Sequence, residues 1–274
     1  MPEVLDYWLG DLSSKFNENK GLLKQLDFEK EYRLDNEIRN FIKEHPSAPG
    51  HDFSHHSRVR TFTTIIGTVN NIGTENIQIC RYGAVLHDHL KEAGRGGKGD
   101  HNWSELRKLT KKLMESAKID GRYLPKVIGT IEEHEIDNPS KRNEIGNILY
   151  EGDTVDITFL PRCFDVAQKI EEKRKGTYDR VDKFLIDYLS YQVNPSTPIT
   201  SAGRRMFDKG KTWSISTLQK LKERLGDNDS SQYFNFLGTK WECNQTIAPE
   251  NLREILASYN KNLPNYTINL QKLL

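Results

Sequence analysis

The chain has 274 residues, 35% hydrophobic and 29% charged, with 40 Lys+Arg set against 39 Asp+Glu. That length suffices to bury a core, in one large domain or two small ones; the even charge balance offers no basic excess of the kind nucleic-acid binding needs. Three scattered cysteines (Cys80, Cys163, Cys243) without CxxC spacing exclude a disulfide framework and a Cys-based zinc site, and suit a reducing cytoplasm.

The opening residues Met1–Asp6 have neither a basic start nor a long apolar run, so no secretory signal is expected. No apolar stretch approaches membrane-spanning length. Phe28, Tyr32, Ile38, Phe41 and Ile42 among charges predict an amphipathic helix over 26–43, stopped by Pro46. After the loop at 46–50, Asp52 suits the N-cap of a helix carrying Val59, Phe62, Ile66 and Val69. Asn70–Thr74 ends it, and the next helix runs from about Glu75 through Ile79, Cys80 and Leu86 to His87-Asp88. Gly94–Gly99 is the most glycine-dense stretch and reads as a loop, either a lid contacting substrate through Arg95 and Lys98 or plain surface. It lacks the G-K-[ST] ending of a P-loop. Asn102 and Glu105 have capping-box spacing before a helix marked by Trp103, Leu106, Leu109 and Leu113. Leu124, Val127, Ile128 and Ile131 mark another, which His134 extends, and Ile145, Ile148 and Leu149 begin the stripe that leads to Asp153. Helical patterns follow near 164–174, 180–192, 214–225 and 249–259. With no sustained period-2 run and no internal repeat, the expected class is all-α.

All eight histidines fall between His45 and His134. Histidine is the commonest side-chain metal ligand and acid–base group near neutral pH. Separated His and carboxylate groups on different helices are what a metal centre inside a helical bundle requires. Neighbours in sequence such as His87 and Asp88 diverge by about 100° around a helix, so they share an ion only at a helix end, or bridge two. By the same rule His56 is expected to point away from His55, and with His51 to be a flanking residue. His51 and His55 have zincin spacing, but Asp52 replaces the glutamate that a protease would need. For His134 two readings stand open, a ligand or a core histidine bonded to a carbonyl.

Three segments together resemble the HD-domain superfamily of metal-dependent phosphohydrolases: Gly50-His51-Asp52-Phe53-Ser54-His55-His56-Ser57-Arg58-Val59, like its H-x-x-R-V helix; Ala84-Val85-Leu86-His87-Asp88-His89-Leu90-Lys91, like its L-H-D-x-x-K; and Glu151-Gly152-Asp153-Thr154-Val155-Asp156, like its A-D-x-L-D. Order and spacing match over about residues 50–160, in the style of the small bacterial HD hydrolases. Thr200–Arg205 weakly echoes a T-x-A-R stretch of their distal helices. The resemblance implies an HD-type helical bundle with additional N- and C-terminal helices, as a single domain 1–274 with its core at about 46–160 and a C-terminal extension at 161–274. It implies His55, His87, Asp88 and Asp153 as ligands of one divalent ion (Mn, Mg, Fe, Co, Ni or Zn), and His101 and His134 as ligands of a second. Lys91 matches a lysine that faces phosphate, with a solvated lysine the other reading; Arg58 matches the arginine one turn after the first ligand, and both would neutralise charge on the phosphate in the transition state. Asp88 would also orient water or take its proton. Three departures, His89-Leu90 for the usual I-G, Gly152 for Ala and Glu151 for Asp, touch no implied ligand.

The implied activity is hydrolysis of a phosphomonoester or phosphodiester, of a nucleotide or related metabolite, in the cytoplasm, with no membrane or nucleic-acid partner and an oligomer allowed. Two rivals share the residues. One is an HD-type di-iron oxygenase using a His4Asp2 set, and the other is a non-catalytic nucleotide-binding module.

Overall fold

The computed structural model describes residues 2–45, 53–88, 102–136, 138–158, 162 and 200–225. Its α-helices are α1 (Pro2–Leu9), α2 (Ser13–Asn19), α3 (Phe28–Glu44), α4 (Phe53–Val69), α5 (Thr74–Leu86), α6 (Trp103–Ser116), α7 (Leu124–His134), α8 (Glu144–Asp156) and α9 (Ser201–Leu225), with short 3-10 turns between some of them. Among the described residues there is no strand, and no helix is long and apolar enough to cross a membrane. The all-α expectation holds.

Local sequence sets the helix starts. Asp27 caps α3 by accepting from Lys30 N (3.1 Å), Asn102 caps α6 through Glu105 N (3.3 Å), and Asn143 caps α8 through Gly146 N (2.8 Å). Helix α9 starts well before the expected 214. Thr200 Oγ1 accepts from Gly203 N (3.1 Å), and Ala202, Met206 and Phe207 form a buried stripe ahead of the one read from sequence. The segments 164–174, 180–192 and 249–259 lie outside the described residues, as do His51, Asp52, His89, Lys91, the Gly94–Gly99 loop and His101.

Helix α4 is the axis of the molecule. It packs along α5 and α8, while α7 lies against α5 and α8, and α9 against α8 and α1. From His55 to Val69 every residue of α4 except Arg60 is buried. Such a helix has no solvent face. The main apolar core joins Leu34 and Ile38 of α3 to Ile79, Tyr82, Val85 and Leu86 of α5, Leu113 and Met114 of α6, and Val127 and Ile131 of α7. On the other side, Trp8 of α1 meets Trp213 of α9 edge to face, centroids 5.8 Å apart.

Two glycines allow close approaches. A Cβ on Gly152 would stand 3.1 Å from Val59 O and Thr63 N and would collide with Thr63 Oγ1. The Ala-to-Gly departure at 152 therefore brings α8 hard against α4. A Cβ on Gly210 would likewise meet Thr158 Oγ1, beside the point where Ser214 Oγ donates to Thr158 O (2.5 Å).

Candidate metal centre

Four helices deliver polar side chains to one buried space. Helix α4 supplies His55 and His56 in its first turn and Arg58 one turn on. Helix α5 ends at Leu86 and releases His87 and Asp88; α7 ends at His134, with Glu135 next; the last turn of α8 carries Asp153 and Asp156. His55, His87 and Asp88 are fully buried, whereas the Asp153 side chain keeps 21% of its surface exposed.

His55 Nε2 lies 3.3 Å from His87 Nε2, 3.4 Å from Asp88 Oδ2 and 3.4 Å from Asp153 Oδ1. His87 Nε2 lies 3.2 Å from Asp88 Oδ2 and 3.8 Å from Asp153 Oδ1. Donors on a tetrahedral cation with bonds near 2.0–2.1 Å stand about 3.3 Å apart, so these spacings fit a small divalent ion.

In His55, His87 and His134 the other ring nitrogen is already tied. His55 Nδ1 donates to Asp156 Oδ2 (2.7 Å), His87 Nδ1 to Ala84 O (2.9 Å) and His134 Nδ1 to Ile131 O (2.5 Å). Such bonds fix the tautomer and aim Nε2 inward, the arrangement that orients metal-ligating imidazoles. His134 is thus bonded to a carbonyl, and its ring also faces the cluster, 5.1 Å from that of His87.

Charge at the site is lopsided. Burial pulls the His87 imidazole down, but Asp88 and Asp153 outweigh it and hold the group up at about 10. A proton kept there marks an electrostatic well for a cation. Burial would raise Asp153, yet His87 and His55 push it well below the usual carboxylate range. Burial would raise Asp156 too, but Arg58 and His55 bring it down to about 2. The last turns of α5 and α8 contain no basic residue, and that of α7 has only His134. Three negative helix ends thus converge where Asp88, Glu135, Asp153 and Asp156 gather. Carboxylates are disfavoured at such ends unless a cation compensates.

Of the residues marked in the sequence, the structure brings together His55, His87, Asp88, Asp153 and His134. His101 and Lys91 lie outside the described residues. Arg58 is 3% exposed and turned to Asp156, with Nη2 donating to Oδ2 at 3.1 Å and Nε bonded to Oδ1. It holds the carboxylate that holds His55.

Sequence reasoning passed over three members. His56 was expected to point away, yet its ring is fully buried, 5.4 Å from those of His55 and His87. The 100° divergence is real, but on a helix buried all round both directions lead inward. Asp156 stood inside a quoted motif, three residues past Asp153 and so on the same helix face. Glu135 carried no signal beyond adjacency to His134. Three overlapping groups have donor atoms within 4.8 Å of one another: His55, His56, His87 and Asp88; His87, His134 and Asp153; and Asp88, His134 and Glu135. The cluster fits a divalent cation.

Compared with protein-family models, curated proteins and solved structures, the chain matches none.

Proposed function

We propose that this chain is a divalent-cation-dependent phosphohydrolase of the HD-domain type, acting on a phosphomonoester or phosphodiester such as a nucleotide. The observation that carries the reading is the convergence of His55, His87, Asp88 and Asp153, in the chain order His, His-Asp, Asp, on one donor cluster with fitting spacings. His55, His87, Asp88 and Asp153 would hold the ion. When bound, it would polarise a phosphoryl oxygen and lower the pKa of water toward neutrality.

The remaining work belongs to the protein. Arg58 clamps Asp156, which fixes His55, so the arginine acts as a positioning residue and Lys91 is left as the candidate for neutralising phosphate. The carbonyl of Ala84 holds the His87 ring in place. Asp153, the one partly exposed member of the four, would be the one within reach of solvent and would orient water by accepting its hydrogen bond.

Metal analysis of the purified full-length protein, then a screen of phosphorylated metabolites with Mn²⁺, Mg²⁺, Co²⁺, Fe²⁺, Ni²⁺ and Zn²⁺, tests this. The expected result is hydrolysis that EDTA, His87→Ala and Asp88→Ala each abolish while helix content stays intact. Cation binding without turnover of any phosphate ester would overturn the hydrolase reading, and iron with substrate-linked oxygen uptake would replace it by an oxygenase.

A further inference from the structure

Toward the N-terminal end of α5, away from His87, lies a cavity of about 320 Å³, at the lower end of the range that small-molecule sites occupy. The starts of α3 and α5 wall it on one side and the 3-10 turn before α7 on the other. It shares no residue with the cation cluster. Tyr82 reaches it from the core. The residue is 1% exposed, and its ring packs edge to face on Tyr123 with centroids 5.9 Å apart. Yet the Tyr82 hydroxyl, at the cavity wall, has no hydrogen-bond partner among the described residues. A buried polar group in that position calls for a partner from outside the protein. Burial, with the Glu31 and Asp27 carboxylates nearby, pushes the phenol well above its ordinary value, so it keeps its proton and needs an acceptor.

Charge around the hydroxyl comes in both signs. Lys30 pairs with Asp27 (2.8 Å) and Arg122 with Asp120 (3.3 Å), all four side chains part-exposed, while Lys126 already holds Glu75 (2.7 Å). Part-exposed pairs of this kind are worth little, so they exchange for ligand groups at small cost. Helix α5 starts here with Gly73 at its N-cap and no side chain bonded there, which leaves a positive helix end suited to a carboxylate. Three carboxylates against two cations in the wall disfavour a phosphate dianion. A bare amine would leave the Tyr82 donor and the helix end unanswered. A molecule carrying one charge of each sign answers all of them.

We infer that this cavity binds a free α-amino acid, with the ligand carboxylate on Tyr82 Oη, Lys30 and Arg122 and the ligand ammonium on Asp27 and Asp120. The site stands apart from the proposed reaction and does not rest on it.

The test is isothermal titration calorimetry of the full-length protein with each common amino acid in turn, in EDTA so that the cation cluster plays no part. At least one should bind, one per chain, with a Kd below about 1 mM. Tyr82→Phe, which keeps the ring in the core, should weaken it about tenfold or more, the loss expected for a hydrogen bond to a charged group. Arg122→Ala, an exposed change that spares the core, should weaken it several-fold. The matching amine and the matching deaminated acid should each bind more than about tenfold more weakly than the amino acid. No binding by any amino acid at about 10 mM, or unchanged binding by both variants, would overturn the site. An amine or a plain acid that binds as tightly as the amino acid would overturn its zwitterion chemistry.

Discussion

Helix α5 carries one buried polar cluster along its length and leads into another just past its C-terminal end, and the two are built on opposite plans. Midway along α5, Arg81 Nε donates to Glu31 Oε1 (2.5 Å), Nη2 bonds to Oε2, and Nη1 donates to Thr64 Oγ1 (2.6 Å). Gln78 Nε2 donates to the same Glu31 oxygen (2.8 Å), and Gln78 Oε1 accepts from Asp27 N (2.8 Å). Nearby, Arg60 pairs with Asp35 through two bonds of 2.8 and 2.9 Å. Each charge there meets its opposite. Past the C-terminal end of the same helix, four carboxylates, Asp88, Glu135, Asp153 and Asp156, gather about the imidazoles of His55, His87 and His134, with Arg58 on Asp156. A closed network of buried charge holds helices together. An open one gives up stability to keep a place for something else.

The largest expected effect breaks the closed network. Arg81→Ala strands the buried Glu31 carboxylate and should cost about 3–5 kcal/mol in urea unfolding, while leaving cation stoichiometry unchanged in whatever protein remains folded. The next uses pH, where two buried glutamates respond with opposite sign. Burial would raise Glu31, but Arg81 outweighs it, so its folded pKa lies below the ordinary 4.5. The stability it supplies is present above that value and lost as pH falls through the folded one. Glu151, buried on α8, accepts from Thr200 N (2.5 Å) and Oγ1 (2.6 Å), yet burial still pushes it up to about 7. Between 4.5 and about 7 the folded state therefore holds the extra proton, so stability falls as pH rises through that window, by about 3 kcal/mol at most. Glu151→Gln should flatten this fall when unfolding midpoints are compared at pH 5 and pH 7.5.

A smaller effect separates the clusters by geometry. Gly152→Ala should cost about 1–3 kcal/mol by wedging α8 off α4, and should weaken cation binding because Asp153 and Asp156 ride on α8. Unfolding and Mn²⁺ titration read both at once, and a variant with unchanged binding would show that the helix spacing does not set the donor spacing. The smallest effect is the most telling. Asp88→Asn should leave the metal-free protein within about 1 kcal/mol of wild type, because it relieves the repulsion between the Asp88 and Asp153 carboxylates. Cation binding should be lost all the same.

Much of this was legible in the sequence. The helix period placed α3 to α8 to within a few residues, because their apolar stripes are long, and Asp27, Asn102 and Asn143 cap α3, α6 and α8. The family resemblance pointed to His55, His87, Asp88 and Asp153, which the structure brings together. The remainder was hidden for physical reasons. His56 could be placed only by knowing that α4 is surrounded. Arg58 and Asp156 read as separate motif members, and nothing local reveals that one clamps the other across 98 residues of chain. Glu135 joins the site through the way α7 ends against α5, which no one-dimensional pattern encodes.

The donors also lie far apart along the chain, from His55 on α4 to Asp153 on α8, and the three most central of them are wholly enclosed. An unfolded chain cannot gather them, so an ion at 100 times its dissociation constant would stabilise the fold by about 2.7 kcal/mol. Among the described residues of the cluster, Asp153 and Glu135 keep the most exposed side chains, 21% and 17%. Loss of an ion held there would be paced by breathing of the helix ends rather than by chelator concentration.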